Sequence, residues 1–256
     1  SGMVKGCFSK VIVEPRLLKL NFGIMCLHIL LMSTFVALPG QLAAAGFPAA
    51  EHWKIYLVTM LISFVSVVPF IIYAEVKRKM KRVFVGCVAL LLVAEIVLWG
   101  SGPHFWELVA GVQLFFLAFN LMEALLPSLI SKESPAGYKG TAMGIYSTSQ
   151  FLGVAIGGSL GGWVDGLFDS QTVFLAGALL AMVWLLVAST MKEPRYVSSL
   201  RVEIPEEVDV SDALKQRLEA KEGVTEVLIV PEERSAYVKI DSKVTNRFEV
   251  EQALKA

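Results

Sequence analysis

The stretch GVQLFFLAFNLMEALLPSLI, residues 111–130, sets Gln113, Phe116, Asn120 and Glu123 at steps of three and four. On a helix that spacing gathers a carboxylate, two amides and an aromatic ring into one face about 80° wide. A carboxylate in apolar surroundings can exchange a proton or hold a cation, and amides offer both donors and acceptors. Two readings fit: a water-accessible cavity that takes a solute, or hydrogen bonds that fasten helices together. Tyr146 and Gln150, spaced i and i+4, add a second polar face. Glu95 in LLLVAEIVLWG stands about a turn and a half from Gly100 and reads as a side chain snorkelling toward the membrane boundary. His28 in CLHILL has no carboxylate at helical spacing and reads as a hydrogen-bonded core histidine rather than a proton-transfer group.

A second candidate for chemistry is GVAIGGSLGG, Gly153 to Gly162. Phosphate loops place glycines as GxGxxG after a strand or as GxxxxGK[ST] before a helix, and neither pattern occurs here. Counting by fours instead gives Ser149, Gly153, Gly157 and Gly161, with Gly140 and Gly144 earlier on the same helix. Such a stripe lets a neighbouring backbone approach closely, as small-xxx-small motifs do in membranes. No grouping of nucleophile, base and oxyanion donors is visible, so an enzyme is not expected. Cys7, Cys26 and Cys87 are too scattered for a disulfide framework or a zinc site, and no cofactor or metal is expected.

These faces need helices in a membrane to carry them, and the composition points to one. The chain is 55% hydrophobic, with mean hydropathy +0.62. Six segments have the roughly 20 apolar residues that cross a bilayer: about 20–45, 53–74, 83–100, 104–130, 139–164 and 171–191. The connections holding Lys77 to Arg82, Lys132 and Lys139, and Lys192 and Arg195, with the basic leading segment, carry nearly all the positive charge of this region. The opposite connections hold only Lys54. The positive-inside bias therefore predicts that both ends of the membrane region face the cytoplasm. The leading residues do not read as a secretory signal.

Thirteen of the 23 acidic residues fall in 197–256, which reads as a separate soluble domain. SLRVEI alternates as a half-buried strand, Ser211 caps DALKQRLEAKEG, VTEVLIV and SAYVKI follow as strands, and Asn246 with Glu249 forms a capping box for a last helix. The order βαββα resembles the heavy-metal-associated branch of the ferredoxin-like folds. The metal-binding cysteines of that branch are missing from the loop PEEVDV. Docking a partner, self-association or binding a small ligand are the roles left open. Residues 1–16 read as a cytoplasmic linker, 17–196 as the membrane region and 197–256 as the soluble domain.

LLPSLISKESPAGYKGTAMGIYSTSQFLGVAIGGSLGGW, residues 125–163, strongly resembles the tenth and eleventh helices of the major facilitator superfamily in its drug-proton antiporter branch. AEVKRKMKR, residues 74–82, is similar to the degenerate second copy of that family's motif A, without its central glycine. With the tail added, the chain resembles the carboxy-terminal half of a bacterial inner-membrane member followed by a YAM domain. The expected fold is therefore an all-α six-helix transmembrane bundle, half of a major facilitator fold, followed by a small α+β ferredoxin-like domain. The resemblance implies a missing amino-terminal half, alternating access, and a small amphipathic substrate exchanged for protons; no nucleic acid is implied. Met32, Phe35, Phe64, Gln113, Phe116, Asn120, Tyr146 and Gln150 would line the substrate cavity. Glu123 would pair with Arg78, Lys79 or Arg82 in the conformation closed to the cytoplasm, a switch that breaks when that side opens, and Gly140 and Gly144 would let the helix start dock on the absent half. Uptake of a metabolite or sugar, or a non-transporting anchor for a sensor domain, are the alternatives.

Overall fold

A computed structural model describes residues 8–255; Lys5 and Cys7 lie outside the described residues. A short helix α1 (Phe8–Ile12) precedes six long ones: α2 (Pro15–Ala44), α3 (His52–Val76), α4 (Met80–Ser101), α5 (Phe105–Glu133), α6 (Lys139–Leu167) and α7 (Ser170–Ser189). Five of these, α2 to α5 and α7, are long and apolar enough to cross a membrane. Helix α6 has 29 residues, but its glycines, serines and threonines dilute its apolarity. Pro39, Pro69 and Pro127 lie inside α2, α3 and α5, which continue through them.

The chain divides into two compact units. One comprises 19–127 and 146–193, the bulk of the long helices. Within it α4 packs against α7, with Phe84 edge-on to the buried Trp184 at 6.1 Å. Gly23 of α2 leaves room for the Trp184 indole: a Cβ there would fall 3.2 Å from Nε1. Arg78, in the turn between α3 and α4, has φ +55°, a left-handed conformation that glycine would adopt more easily.

The other unit comprises the described residues up to 18, residues 128–145, and 194–256. Its sheet has β1 (Ser198–Glu203), β2 (Val224–Val230) and β3 (Ser235–Ile240) in the order β1-β3-β2, all antiparallel. Helices α8 (Asp212–Glu219) and α9 (Arg247–Lys255) complete the βαββα order. Val202, Leu214, Leu218, Val227, Ala236, Val238, Ile240, Val250 and Leu254 form its core. The Ser211 hydroxyl accepts from Leu214 N at 3.4 Å, and the Asn246 side chain accepts from Glu249 N at 2.9 Å. Glu249 in turn accepts from the Thr245 hydroxyl. Gly223, at φ +90°, makes the turn into β2.

Candidate functional site

In the membrane unit the titratable centre is a pair of side chains from α2 and α5. His28 Nε2 lies 3.4 Å from Glu123 Oε1, while His28 Nδ1 lies 3.1 Å from the carbonyl of Ile24 one turn earlier. A carbonyl can only accept, so Nδ1 carries a proton there. Nε2 faces Oε1 at ion-pair distance, and Oε1 makes no hydrogen bond. The His28 side chain is 6% exposed and that of Glu123 37% in this half of the fold. Tyr146 of α6, buried, lies within electrostatic reach of Glu123, and Phe119 packs edge-on to the His28 ring at 5.8 Å.

The hydrogen bond expected of buried His28 is present, to the Ile24 carbonyl. A carboxylate also faces it from another helix, which spacing within α2 has no means of indicating. Glu123 faces His28 in this structure; its pairing with Arg78, Lys79 or Arg82 is an expectation for the conformation closed to the cytoplasm. Ten residues put about 15 Å of helix between Glu123 and Glu133, the end of α5. Arg82 instead donates to the Tyr73 hydroxyl at 3.0 Å.

Around the pair, Phe35 stacks on Phe116 with centroids 5.3 Å apart and meets Tyr56 and Phe115 edge-on. Asn120 donates to the Met60 sulfur at 3.1 Å. Gln113 donates to Ser63 Oγ at 2.8 Å and to the Thr59 carbonyl at 3.1 Å, so its amide fastens α5 to α3. Met32 and Gln150 are half-buried. Phe64 is 68% exposed, among the other outward apolar side chains of α3 such as Leu61 and Val65, apart from the aromatic group.

The glycine stripe lies along α2. A Cβ on Gly153 would fall 2.5 Å from Met25 O, one on Gly157 2.6 Å from Ile29 O, and one on Gly161 2.8 Å from Ser33 Cα. Backbone meets backbone there, and any side chain would force the helices apart. Gly144 has open space around its Cβ position, while Ser149 is half-buried.

Glu95 departs most from its expected place. It is completely buried, with Oε1 accepting from the Thr34 hydroxyl of α2 and Oε2 without a hydrogen-bond partner. Gly177 of α7 makes room for it, since a Cβ there would come within 2.9 Å of Oε2. The carboxyl points into the packed helices rather than toward the boundary. Thr34, three residues from both Leu31 and Ala37 in an apolar run, is the only sequence signal for that partner.

Residues 200–256 match the family model of the YajR YAM domain. Over 255 residues, all of this chain and 56% of the relative, the chain is 80% identical to the inner membrane transport protein YajR of Escherichia coli (strain K12). It is 38% identical over 135 residues to an uncharacterised transporter of Buchnera aphidicola subsp. Acyrthosiphon pisum, covering 53% of this chain and 35% of that protein. It is 31% identical over 107 residues to an uncharacterised MFS-type transporter of Pseudomonas aeruginosa, covering 42% of this chain and 26% of that one. The chain thus spans little more than half the length of the Escherichia coli protein.

Proposed function

We propose that the chain belongs to the YajR-like, YAM-containing branch of the major facilitator superfamily and forms one half of a proton-coupled secondary transporter in a bacterial inner membrane. The observation that supports this reading is the close approach of His28 and Glu123, two titratable side chains held within the long helices. A proton moved on or off that pair changes the charge buried between α2 and α5. Such a change biases one arrangement of the helices over another by its differential cost in the two.

The substrate class follows from the neighbours. Phe35, Phe116 and Tyr56 offer ring faces, Met32 and Met60 offer adaptable apolar contact, and Asn120 adds a single amide. That set suits an amphipathic compound better than a sugar, which would call for more amides and charges. Export is the direction proposed, with the amino-terminal six-helix half supplying the facing wall of the cavity. The soluble domain and the basic connections lie on the cytoplasmic side in this reading.

The test is transport by the two-half protein in proteoliposomes under an imposed pH gradient, with a panel of amphipathic cations. Gradient-driven flux is expected in the wild type and at least a tenfold loss in Glu123→Gln, with substrate binding retained. Undiminished gradient-driven flux in that variant overturns the assignment of the proton to this pair. Complete absence of flux for every compound and gradient favours a membrane anchor for the soluble domain.

A further inference from the structure

In the unit that contains the soluble domain, strand β3 is buried at all six positions. Alternation explains half of this. Ala236, Val238 and Ile240 point into the core with α8 and α9. A sheet with helices on one face leaves its other face to water, yet Ser235 and Lys239 on that face are fully buried and Tyr237 is 6% exposed. A lysine with no exposed surface in the middle of a strand requires a partner built for it.

The partner is the connection between α5 and α6. Lys239 Nζ donates to the Ser131 carbonyl at 2.8 Å and to the Lys132 carbonyl at 3.0 Å. These belong to the last turn of α5, whose carbonyls have no helical donors of their own and whose dipole favours a cation. On the next strand Glu226 accepts from Ala136 N at 3.0 Å and lies 3.7 Å from Arg195. Glu133, 5% exposed in its side chain, receives Arg16 at 2.9 Å and Arg195 N at 3.1 Å. Along the same face, Gly137, Lys139 and Met143 wall a cleft of about 380 Å³ together with Leu200, Arg201 and Tyr237. These bonds join buried or half-buried donors and acceptors across the sheet face.

We propose that the outer face of the sheet is a docking surface for the α5–α6 connection of this same chain, through which the soluble domain clamps the facing ends of α5 and α6. While Lys239 and Glu226 are engaged, the last turn of α5 and the residues leading into α6 are held by one rigid body. Separating those helix ends requires the sheet to let go first. The clamp stands apart from the proton-coupled reading, because it is measured on the helix ends and not on flux.

Amide hydrogen exchange on the full-length transporter tests it. Residues 131–140 are expected to be protected in the wild type and to exchange at least tenfold faster in Lys239→Met, with the α8 and α9 core amides unchanged. Glu226→Ala, at a half-buried side chain outside the core, is expected to release the same residues and serves if Lys239→Met unfolds the domain. Wild-type exchange over 131–140 in a folded variant of either kind overturns the clamp. So does unfolding of the core by Glu226→Ala, which would make Glu226 a folding residue instead of a docking one.

Discussion

Glu123 of α5 and His28 of α2 stand with Oε1 and Nε2 3.4 Å apart, and the opposite ring nitrogen is committed to the Ile24 carbonyl. Side chains this close are coupled, and coupled residues are non-additive under mutation. Glu123→Gln and His28→Gln are each expected to lower gradient-driven flux at least tenfold. The double variant should be no worse than the poorer single one. Losses that multiply in the double variant would mean that the residues act separately.

The packing of α6 on α2 yields a contrast between neighbouring positions. Gly157→Leu puts side-chain atoms where Ile29 O and Cα already lie, and overpacking of that kind costs about 1–3 kcal/mol or more. Leu160 is 54% exposed, so Leu160→Ala removes little packing. A lower thermal midpoint and poor yield are expected for the first variant and near-wild-type values for the second, measured in detergent. Equal behaviour of the two would remove the close approach from the list of stabilising contacts.

Arg234 adopts φ +47° at the turn into β3, a left-handed conformation. Glycine would relieve a cost of about 1 kcal/mol. Arg234 also donates from Nη2 to the carbonyls of Pro205 and Val208, both at 2.7 Å. Charge-assisted bonds contribute about 1.5–3 kcal/mol, so they outweigh the strain. Arg234→Gly should destabilise the soluble domain by about 1–3 kcal/mol in denaturant unfolding; a stabilised variant would show that strain wins.

Docking of the sheet face should depend on pH in one direction. Burial pulls the Lys239 ammonium down from 10.5 to about 8; Arg195 and Lys139 add to the shift, while Glu226 and Glu133 oppose it. A released lysine returns to its ordinary value, so between about 8 and 10.5 release takes up a proton. Docking therefore tightens as pH rises through that window, by at most about tenfold per pH unit, and is flat below it. Hydrogen exchange over 131–140, corrected for intrinsic rates, should slow between pH 8 and 10 in the wild type and not in Lys239→Met. Faster exchange in that window, or the same trend in the variant, would contradict the assignment.

Orientation is tested by single-cysteine labelling from outside the cell. A cysteine at Pro103 is expected to react and one at Lys79 is not. The reverse pattern would place the soluble domain outside.

Elements and their order were legible in the sequence because apolar length, caps and turn residues are local properties. Gly153, Gly157 and Gly161 announce a close approach by their spacing alone, although nothing in that spacing names α2 as the neighbour. The polar pairings are non-local: His28 with Glu123, Thr34 with Glu95, and Lys239 with the end of α5. Helical periodicity gives each residue a face and leaves open what that face meets. Lys239 offered one further clue, since SAYVKI alternates and a lone lysine on the outer face reads as solvated until the outer face is found to be covered.

A transporter that exchanges one proton per cycle at His28 and Glu123, the stoichiometry of the proposed reading, has its accumulation limited by that proton. Exchange of a neutral solute for it then sustains at most about a tenfold concentration ratio per unit of pH difference, and about 2.3 kcal/mol more for each 100 mV across the membrane. A monovalent cation exchanged for the same proton moves no net charge, so its accumulation answers to the pH difference alone and is blind to voltage.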